Sequence, residues 1–457
     1  MPRQNNRRAC FYLEVSSIVY YKNKISSGFF GDFSKMRPCL KRLLVMAALS
    51  TVASGSSAQW LKEEKAESLE EALLKGKAHF DFRLRYEDAE QGSQGAQALT
   101  LRSRVAYQTL PYEFFTAFIE LDDVRAIPDD QNYNSGSNAQ FDDLLVEDPE
   151  GAEINQAWLA YDVANTLFKY GRQTISLNNE RFLGGDAWRQ NEQSFTGLSI
   201  HNESLNYLRF EFAQLNHVLT NADKTLDTSQ QDLNAKLFNI NYRGFWLNDL
   251  SLYALWISDH PDQHQWESST YGIRYAGDFG GNAFHDFALA FELEYARQED
   301  AGANPLNYQL AYQLIDLSLS YQDISATLGY ERLGADDNAY FVTPLGSLHS
   351  FQGVSGIFEN NGLGNIPGGI QDRYLGLTYR TELACATKPF AFSISAHYHD
   401  YQADKVRSGV KSYGEEWILK STLEMASYDL FVQYADYQAD QFSQDKQSVW
   451  LGLGIQF

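Results

Sequence analysis

From Lys77 to the last residue, apolar and polar side chains alternate with a period of two. Phe80, Phe82, Leu84 and Tyr86 are interleaved with Asp81, Arg83, Arg85 and Glu87, and Leu99, Leu101, Val105 and Tyr107 with Thr100, Arg102, Arg104 and Ala106. The pattern returns at Leu208–Phe212, Phe238–Arg243 and Phe287–Tyr295. It closes the chain as Val449, Leu451, Leu453, Ile455 and Phe457 against Trp450, Gly452, Gly454 and Gln456. A period of two puts the two sets on opposite faces of a strand. The pattern predicts about 18 strands (16–18), centred near Phe82, Arg102, Phe118, Ala157, Tyr170, Leu198, Phe210, Asn239, Tyr253, Ile273, Phe291, Leu314, Leu328, Leu377, Ser395, Leu419, Val432 and Leu453. Each is close to the ~9–11 residues that a tilted strand needs to cross a bilayer. Ahead of them, Ser68-Leu-Glu-Glu71 reads as a capping box and predicts a short helix over 68–76.

Alternation fits a soluble sandwich as well as a barrel whose apolar face meets lipid and whose polar face lines a lumen. The N-terminal segment separates the two. The longest apolar run, Leu43 to Ala53, has the size of a signal-peptide core and falls short of a membrane helix. Arg37, Lys41 and Arg42 precede it, and Ser56-Ser57-Ala58 supplies a cleavage site after Ala58. Met36 stands immediately before this basic stretch. Translation is therefore expected to start there, with 1–35 a non-native extension; the competing reading is an unusually long basic region. The expected organisation is extension 1–35, signal peptide 36–58, short periplasmic segment 59–76 and barrel 77–457.

An exported chain of alternating strands that ends on Phe457 predicts an all-β, transmembrane antiparallel β-barrel of the bacterial outer membrane. Its expected surroundings are outer-membrane lipid and lipopolysaccharide, with the Phe457 strand read by the barrel-assembly machinery. An even strand number brings both ends to the periplasm. Connections read as short near Asn202, Asn248 and Asp323 and as long and polar over 123–152, 178–191, 217–232 and 333–369. The Gly- and Asn-rich 333–369 segment is expected to fold inward and constrict the pore.

Composition agrees with this reading. Aromatics reach 14% with only 10 prolines, as suits many strands with aromatic girdles. Removing the leader takes nine basic and two acidic residues and moves the net charge from −22 to −29. Such acidity argues against a nucleic-acid partner. Of Cys10, Cys39 and Cys385 only Cys385 survives cleavage, so no intramolecular disulfide is expected, and it reads as a lone turn residue.

The candidate chemistry is a set of bases on the polar parity: Arg83, Arg85, Arg102, Arg104, Arg209, Arg243, Arg274, Arg380 and Lys420. Facing lipid at mid-depth would cost each about 2–4 kcal/mol, so they are expected to line the lumen and attract carboxylates or phosphates. The rival reading pairs them with Asp81, Glu87, Glu211, Glu292 and Glu294, so that they only brace the wall. Trp158, Trp256 and Trp450 are candidates for lumenal sugar stacking, with girdle positions as the alternative. The acids of 128–150 (Asp129, Asp130, Asp142, Asp143, Glu147, Asp148) read as a solvated loop rather than a calcium site. His201 with Ser204 falls at a turn, and His397 with His399 lacks a third ligand. No metal, cofactor or catalytic residue is expected.

Four stretches are similar to the outer-membrane alginate-export family of porins: Val146–Tyr161 (VEDPEGAEINQAWLAY), Tyr170–Gln193 (YGRQTISLNNERFLGGDAWRQNEQ), Thr343–Gly353 (TPLGSLHSFQG) and Gly369–Leu377 (GIQDRYLGL). The resemblance runs over most of the chain after the leader. It implies a monomeric barrel with an electropositive constriction for an acidic polyuronate, and it places Arg172, Arg181 and Arg189 near the pore. The expected function is a passive, non-enzymatic channel for anionic polysaccharide or uronate-like solutes. A general or sugar-selective porin is the alternative, and an outer-membrane barrel enzyme a remote third.

Overall fold

The computed structural model describes residues 65–127, 132–221, 230–244, 249–258, 264–280, 287–359, 362–385 and 388–457. The expected leader, 1–58, lies outside them, as do Asp129, Asp130 and Asn248. Period-two patterning becomes 18 strands in an up-and-down order: β1 (Lys77–Gln91), β2 (Gln94–Gln108), β3 (Phe115–Ala126), β4 (Gly151–Val163), β5 (Thr166–Gln173), β6 (Ser194–Leu205), β7 (Leu208–Leu219), β8 (Gln230–Tyr242), β9 (Asp249–Ser258), β10 (Ser268–Gly280), β11 (Phe287–Asp300), β12 (Gln309–Tyr321), β13 (Ile324–Leu333), β14 (Ile370–Cys385), β15 (Lys388–Arg407), β16 (Val410–Met425), β17 (Tyr428–Ala439) and β18 (Lys446–Gln456). All 18 expected centres fall inside these strands.

Each strand pairs antiparallel with its sequence neighbours, and β1 pairs with β18 in the register Asp81↔Gln456 to Gln91↔Lys446. Closure leaves no free edge, which is what a lipid-embedded sheet requires. Phe457 completes the seam: it donates its N–H to the Phe80 carbonyl and accepts from the Phe80 N–H. On the outer face Leu159, Leu319 and Leu377 remain 51%, 51% and 56% exposed. Apart from Trp158, their inward neighbours are small or polar (Ala160, Ser318, Ser320, Gly376 and Thr378), so the apolar set is the lipid-facing one.

The expected helix is shorter than its motif suggested. α1 (Leu69–Leu74) is capped by Ser68, whose hydroxyl accepts from the Glu71 N–H, while the Glu71 carboxylate accepts from the Glu67 N–H. It lies against the base of the barrel, where Leu110 N–H donates to the Ala72 carbonyl and Tyr107 OH to that of Leu73.

The connections follow the expected long and short pattern with one shift. β6 continues past Asn202 through an irregular register to Leu205, so the turn is at 206–207. The outer connections that matter are loop 2 (127–150), loop 3 (174–193) and loop 7 (334–369), and their described parts enter the barrel.

That entry explains what alternation did not anticipate. The inward faces of β7–β9 and β12 near the outer end are apolar: Leu215, Leu237, Leu255, Ile257, Leu310 and Leu314 are all buried. They form one core with Leu177, Phe182 and Leu183 of loop 3 and Phe341, Val342 and Leu345 of loop 7. This part of the lumen is a packed interior rather than a water-filled bore. A second, smaller core joins Phe358 and Ile366 of loop 7 to Tyr401, Tyr413 and Tyr437. Close approach there requires Gly414. It sits at a register shift with φ +137°, and a Cβ would lie 2.2 Å from the Gln438 carbonyl oxygen.

Candidate functional site

Loop 3 crosses the lumen and is anchored at both sides. On the β1–β2 wall, Arg83 donates to the Gln190 side-chain carbonyl at 2.9 Å, to the Ala187 carbonyl at 2.8 Å and to the Arg189 carbonyl. The Gln190 amide returns hydrogen bonds to the Thr100 hydroxyl and the Arg83 carbonyl. On the far wall Asn179 donates to Glu292 at 2.6 Å and to Glu294 at 3.0 Å, and Arg181 pairs with Glu331 of β13 at 2.9 Å. Backbone carbonyls of a loop inside a barrel need donors, and arginine, with five N–H groups in a fixed fork, supplies them.

Loop 7 lies on loop 3. Gln193 bridges the Gly184 and Leu345 carbonyls, and Ser347 donates to Glu180 and accepts from the Asp186 N–H. Trp188 stacks on His349 at 4.2 Å and carries the Arg85 guanidinium over its ring at 4.4 Å. Loop 7 is tied to the wall by Glu416, which accepts from the N–H groups of Val354 and Ser355, and by Lys446, which donates to the Ser355 carbonyl. Beneath Ser350–Val354 a cavity of ≈ 370 Å³ opens toward the periplasmic half, walled by β11–β17.

The four arginines of the β1–β2 hairpin do face inward, and three are neutralised. Arg85 pairs with Glu87 at 2.8 Å and sits 3.7 Å from Asp148. Arg102 pairs with Asp81 and approaches Glu192. Arg104 grips Asp122 with two nitrogens and reaches Glu192 at 2.9 Å. Arg83 has loop 3 carbonyls instead. The bracing reading therefore describes these side chains better than an open basic ring. Among the other candidates, Arg189 pairs with Glu87 and Arg274 with Glu292, both inside the barrel. Arg209 pairs with Glu203 and Arg380 with Glu424 toward the periplasmic end. Lys420 faces inward, over the Phe431 ring at 5.8 Å.

Two positions need correction. Arg172 lies on the outward face: its cross-strand partner is Ala157, two residues before the exposed Leu159, and its guanidinium binds the Ile154 carbonyl and Gln230. The inward positions beside it belong to Lys169 and the buried Gln173, because β5 keeps strict alternation to its last residue. Arg243 is not on a strand, since β8 stops at Tyr242; it turns back to Asp249 with half its side chain exposed.

Trp450 is inside, 2% exposed and edge-on to Trp188. Trp158 is stacked on Phe118 under Lys169, and Trp256 is on the outer face, bonded to Tyr271 OH. His201 sits between Glu203 and Glu211, and Ser204 donates to the Ala164 carbonyl, so the two do not form a pair. His399 bonds Asp372. Among the described residues no group of three or more metal-ligating side chains converges. Asp148 of the supposed solvated loop is 1% exposed. Sequence reasoning missed Glu192, Gln190, Trp188, His349 and Glu416. Each has at least one partner more than sixty residues away in the chain, and only the polar, Trp-containing Trp188–Gln193 run marked loop 3 as unusual.

Where loops 2, 3 and 7 meet, outside the membrane-spanning strands, buried groups titrate abnormally. The Asp186 carboxyl is pushed up to about 7 by burial and by nearby Glu359, against the pull of Arg189. Glu147 is raised for the same reasons. His349 is pushed down to about 4 by burial, with Glu359 opposing. The signs differ. Docked Asp186 holds a proton that a released aspartate, with an ordinary value of 3.8, has lost, so its contribution to docking falls as pH rises from about 4 to about 7. Released His349 binds a proton that the docked one refuses, so its contribution grows between about 4 and 6.5 and is then complete. Below about pH 6.5 the two contributions oppose each other, so loop openings are expected to become more frequent chiefly from about pH 6.5 to 7.5, and Asp186→Asn to reduce that rise, with Glu147 supplying the remainder. Gating events counted in single-channel records check this; a wild-type trace flat across that range would refute it.

By sequence the chain matches the alginate export family over residues 75–312, just over half of its 457 residues. No curated protein matches it. Among solved structures it resembles OccAB1 of Acinetobacter baumannii (13% identity, TM-score 0.64, 87% of this chain and 99% of that one). It also resembles OccK2 (OpdF) of Pseudomonas aeruginosa (14%, 0.62, 84% and 97%) and OpdK of the same organism with vanillate (13%, 0.59, 84% and 98%). At these identities the likeness is one of fold. With an 18-strand closed barrel, a lipid-facing apolar belt and a family match over the strands that carry loops 2 and 3, the chain belongs to the alginate export family of bacterial outer-membrane channels.

Proposed function

We propose that this barrel is a passive channel for small solutes taken one at a time, uronate-sized or smaller, rather than a conduit for a polymer. The observation that carries this reading is the interlock of loops 3 and 7 across the lumen, sealed by an apolar core and by the buried Arg181–Glu331 pair. A polyanion needs a continuous basic path, whereas here most bases are compensated by acids at ion-pair distance. The capture of vanillate, a small carboxylate, by a barrel of the same fold agrees with this size class. The outer belt rests in lipid and lipopolysaccharide, and the Phe457 strand is the recognition signal for barrel assembly.

The decisive test is the reversal potential of the protein, purified from outer membranes, across a KCl gradient. Mild cation preference is expected, because Glu120, Asp122 and Glu192 outnumber the arginines they face. Arg102→Ala with Arg104→Ala should increase that preference by uncovering Asp81, Asp122 and Glu192. The second reading, a polyuronate channel, is favoured by the family match. Strong anion selectivity that collapses in the same double variant would establish it and overturn ours.

A further inference from the structure

The cavity beneath loop 7 holds two charges of opposite sign that the protein leaves uncompensated. Of its acids, Glu292 is held by Arg274 at 2.7 Å, Glu331 by Arg181 and Asp372 by His399. Asp316 of β12 is different: its partners are hydroxyls, Tyr374 OH at 2.8 Å and Ser318 at 3.4 Å, with no cation at ion-pair distance among the described residues. Across the cavity on β16, Lys420 has no carboxylate at ion-pair distance among the described residues. Its cross-strand neighbour Gln433 is 2% exposed and lines the same cavity, and its amide nitrogen has no hydrogen-bond partner.

A buried amide donor without a partner is costly unless something polar visits it, and an ammonium beside it makes that visitor an anion. A carboxylate seated there would accept from both Lys420 and Gln433. Asp316 would receive a cation at the other end. Between the poles the surface is mixed: Leu314, Ile418 and the Phe351 ring give it an apolar part, and Tyr374, Ser395, His397 and His399 of β14 and β15 stand beside them. Methylenes suit the apolar part, where a second polar group would lose its water without compensation. A solute with one charge satisfies one pole and leaves the other to be dehydrated. We infer that this cavity is a binding site for an extended zwitterion, a carboxylate and an ammonium separated by a short alkyl chain, held between Lys420–Gln433 and Asp316.

The inference rests on the channel reading only in that a solute must reach the cavity, and the test separates the two. The probe is 6-aminohexanoate, with hexanoate and hexylammonium as its halves, titrated calorimetrically into the detergent-solubilised barrel. Binding of the zwitterion is expected to be at least about tenfold tighter than that of either half. Lys420→Met and Asp316→Asn should each remove about tenfold or more, as the loss of one charge-assisted contact does. The exchange Asp316→Lys with Lys420→Asp should restore binding in the reverse orientation, and heat-modified mobility on gels reports that each variant is folded. Equal binding of hexanoate and the zwitterion would reduce the site to an anion site and overturn the proposal, as would variants that bind like the wild type. A protein that binds the zwitterion yet conducts no ions in a bilayer would keep this inference and sink the channel reading.

Discussion

Excising residues 344–362 and joining Thr343 to Leu363 through two glycines is expected to raise single-channel conductance about fivefold or more, as befits an 18-strand barrel released from its plug. The cut is geometrically benign, because the Thr343 N–H already donates to the Leu363 carbonyl at 2.9 Å. It removes His349 from Trp188, Leu345 from Gln193 and Ser347 from Glu180, so loop 3 loses its cover as well. Glu416, now fully buried beneath Val354 and Ser355, would be hydrated by lumen water rather than stranded. The β13–β14 ladder from Ile324↔Tyr379 to Leu333↔Ile370 is untouched, so the barrel should assemble. Bilayer recordings of wild type and deletion side by side decide it. Unchanged conductance would mean that solutes do not pass beneath loop 7, and the small-solute reading would lose its constriction.

The second large effect is expected at Arg181. Its guanidinium is 1% exposed, pairs with Glu331, and lies 4.6 Å from the Phe351 ring, so it joins loop 3, β13 and loop 7 at one point. Among the described residues, Arg181→Ala leaves Glu331 with Tyr312 and Gln352 as donors, and breaking one side of a buried pair costs about 3–5 kcal/mol. That loss falls on loop docking, since the strand ladders do not depend on it. Loop 3 should become sensitive to protease added from outside while the barrel keeps its folded mobility. Arg181→Lys should rescue poorly, because an ammonium lacks the planar face that stacks on Phe351. Arg181→Met combined with Glu331→Gln should cost less than Arg181→Ala alone. Loop 3 resistant to protease in Arg181→Ala would show that the apolar core of Phe182 and Leu183 suffices to dock it.

Both predictions concern features that were only partly legible in the sequence. A strand repeats its environment every second residue, so local patterning carries its face and position, and β1 could be read from Phe80–Glu87 alone. Arg85 shows the limit. Its parity put it in the lumen, yet whether it faces a solute or a carboxylate depended on Asp148 and Trp188, which are brought to it by two separate loops. Arg172 shows a second limit, since its motif suggested the pore while its parity, opposite Lys169 and Gln173, placed it outside. The inward Leu255 and Ile257 were visible as an unbroken apolar run, Leu252–Ile257, that a lipid face alone does not require; the run carried no indication of which loop would cover it.

Period-two alternation and the cost of charge in hydrocarbon were enough to place the barrel, a strand number of about 18, the lipid-facing side and the lumenal direction of the β1–β2 arginines. The crossing of the lumen by loops 3 and 7, the neutralisation of Arg85, Arg102 and Arg104, and the placing of Asp316 and Lys420 around one cavity without an ion-pair partner among the described residues emerge with the folded chain. Those outcomes depend on contacts between residues far apart in the chain, whose pairing is set by the closure of the barrel and the path of the loops within it.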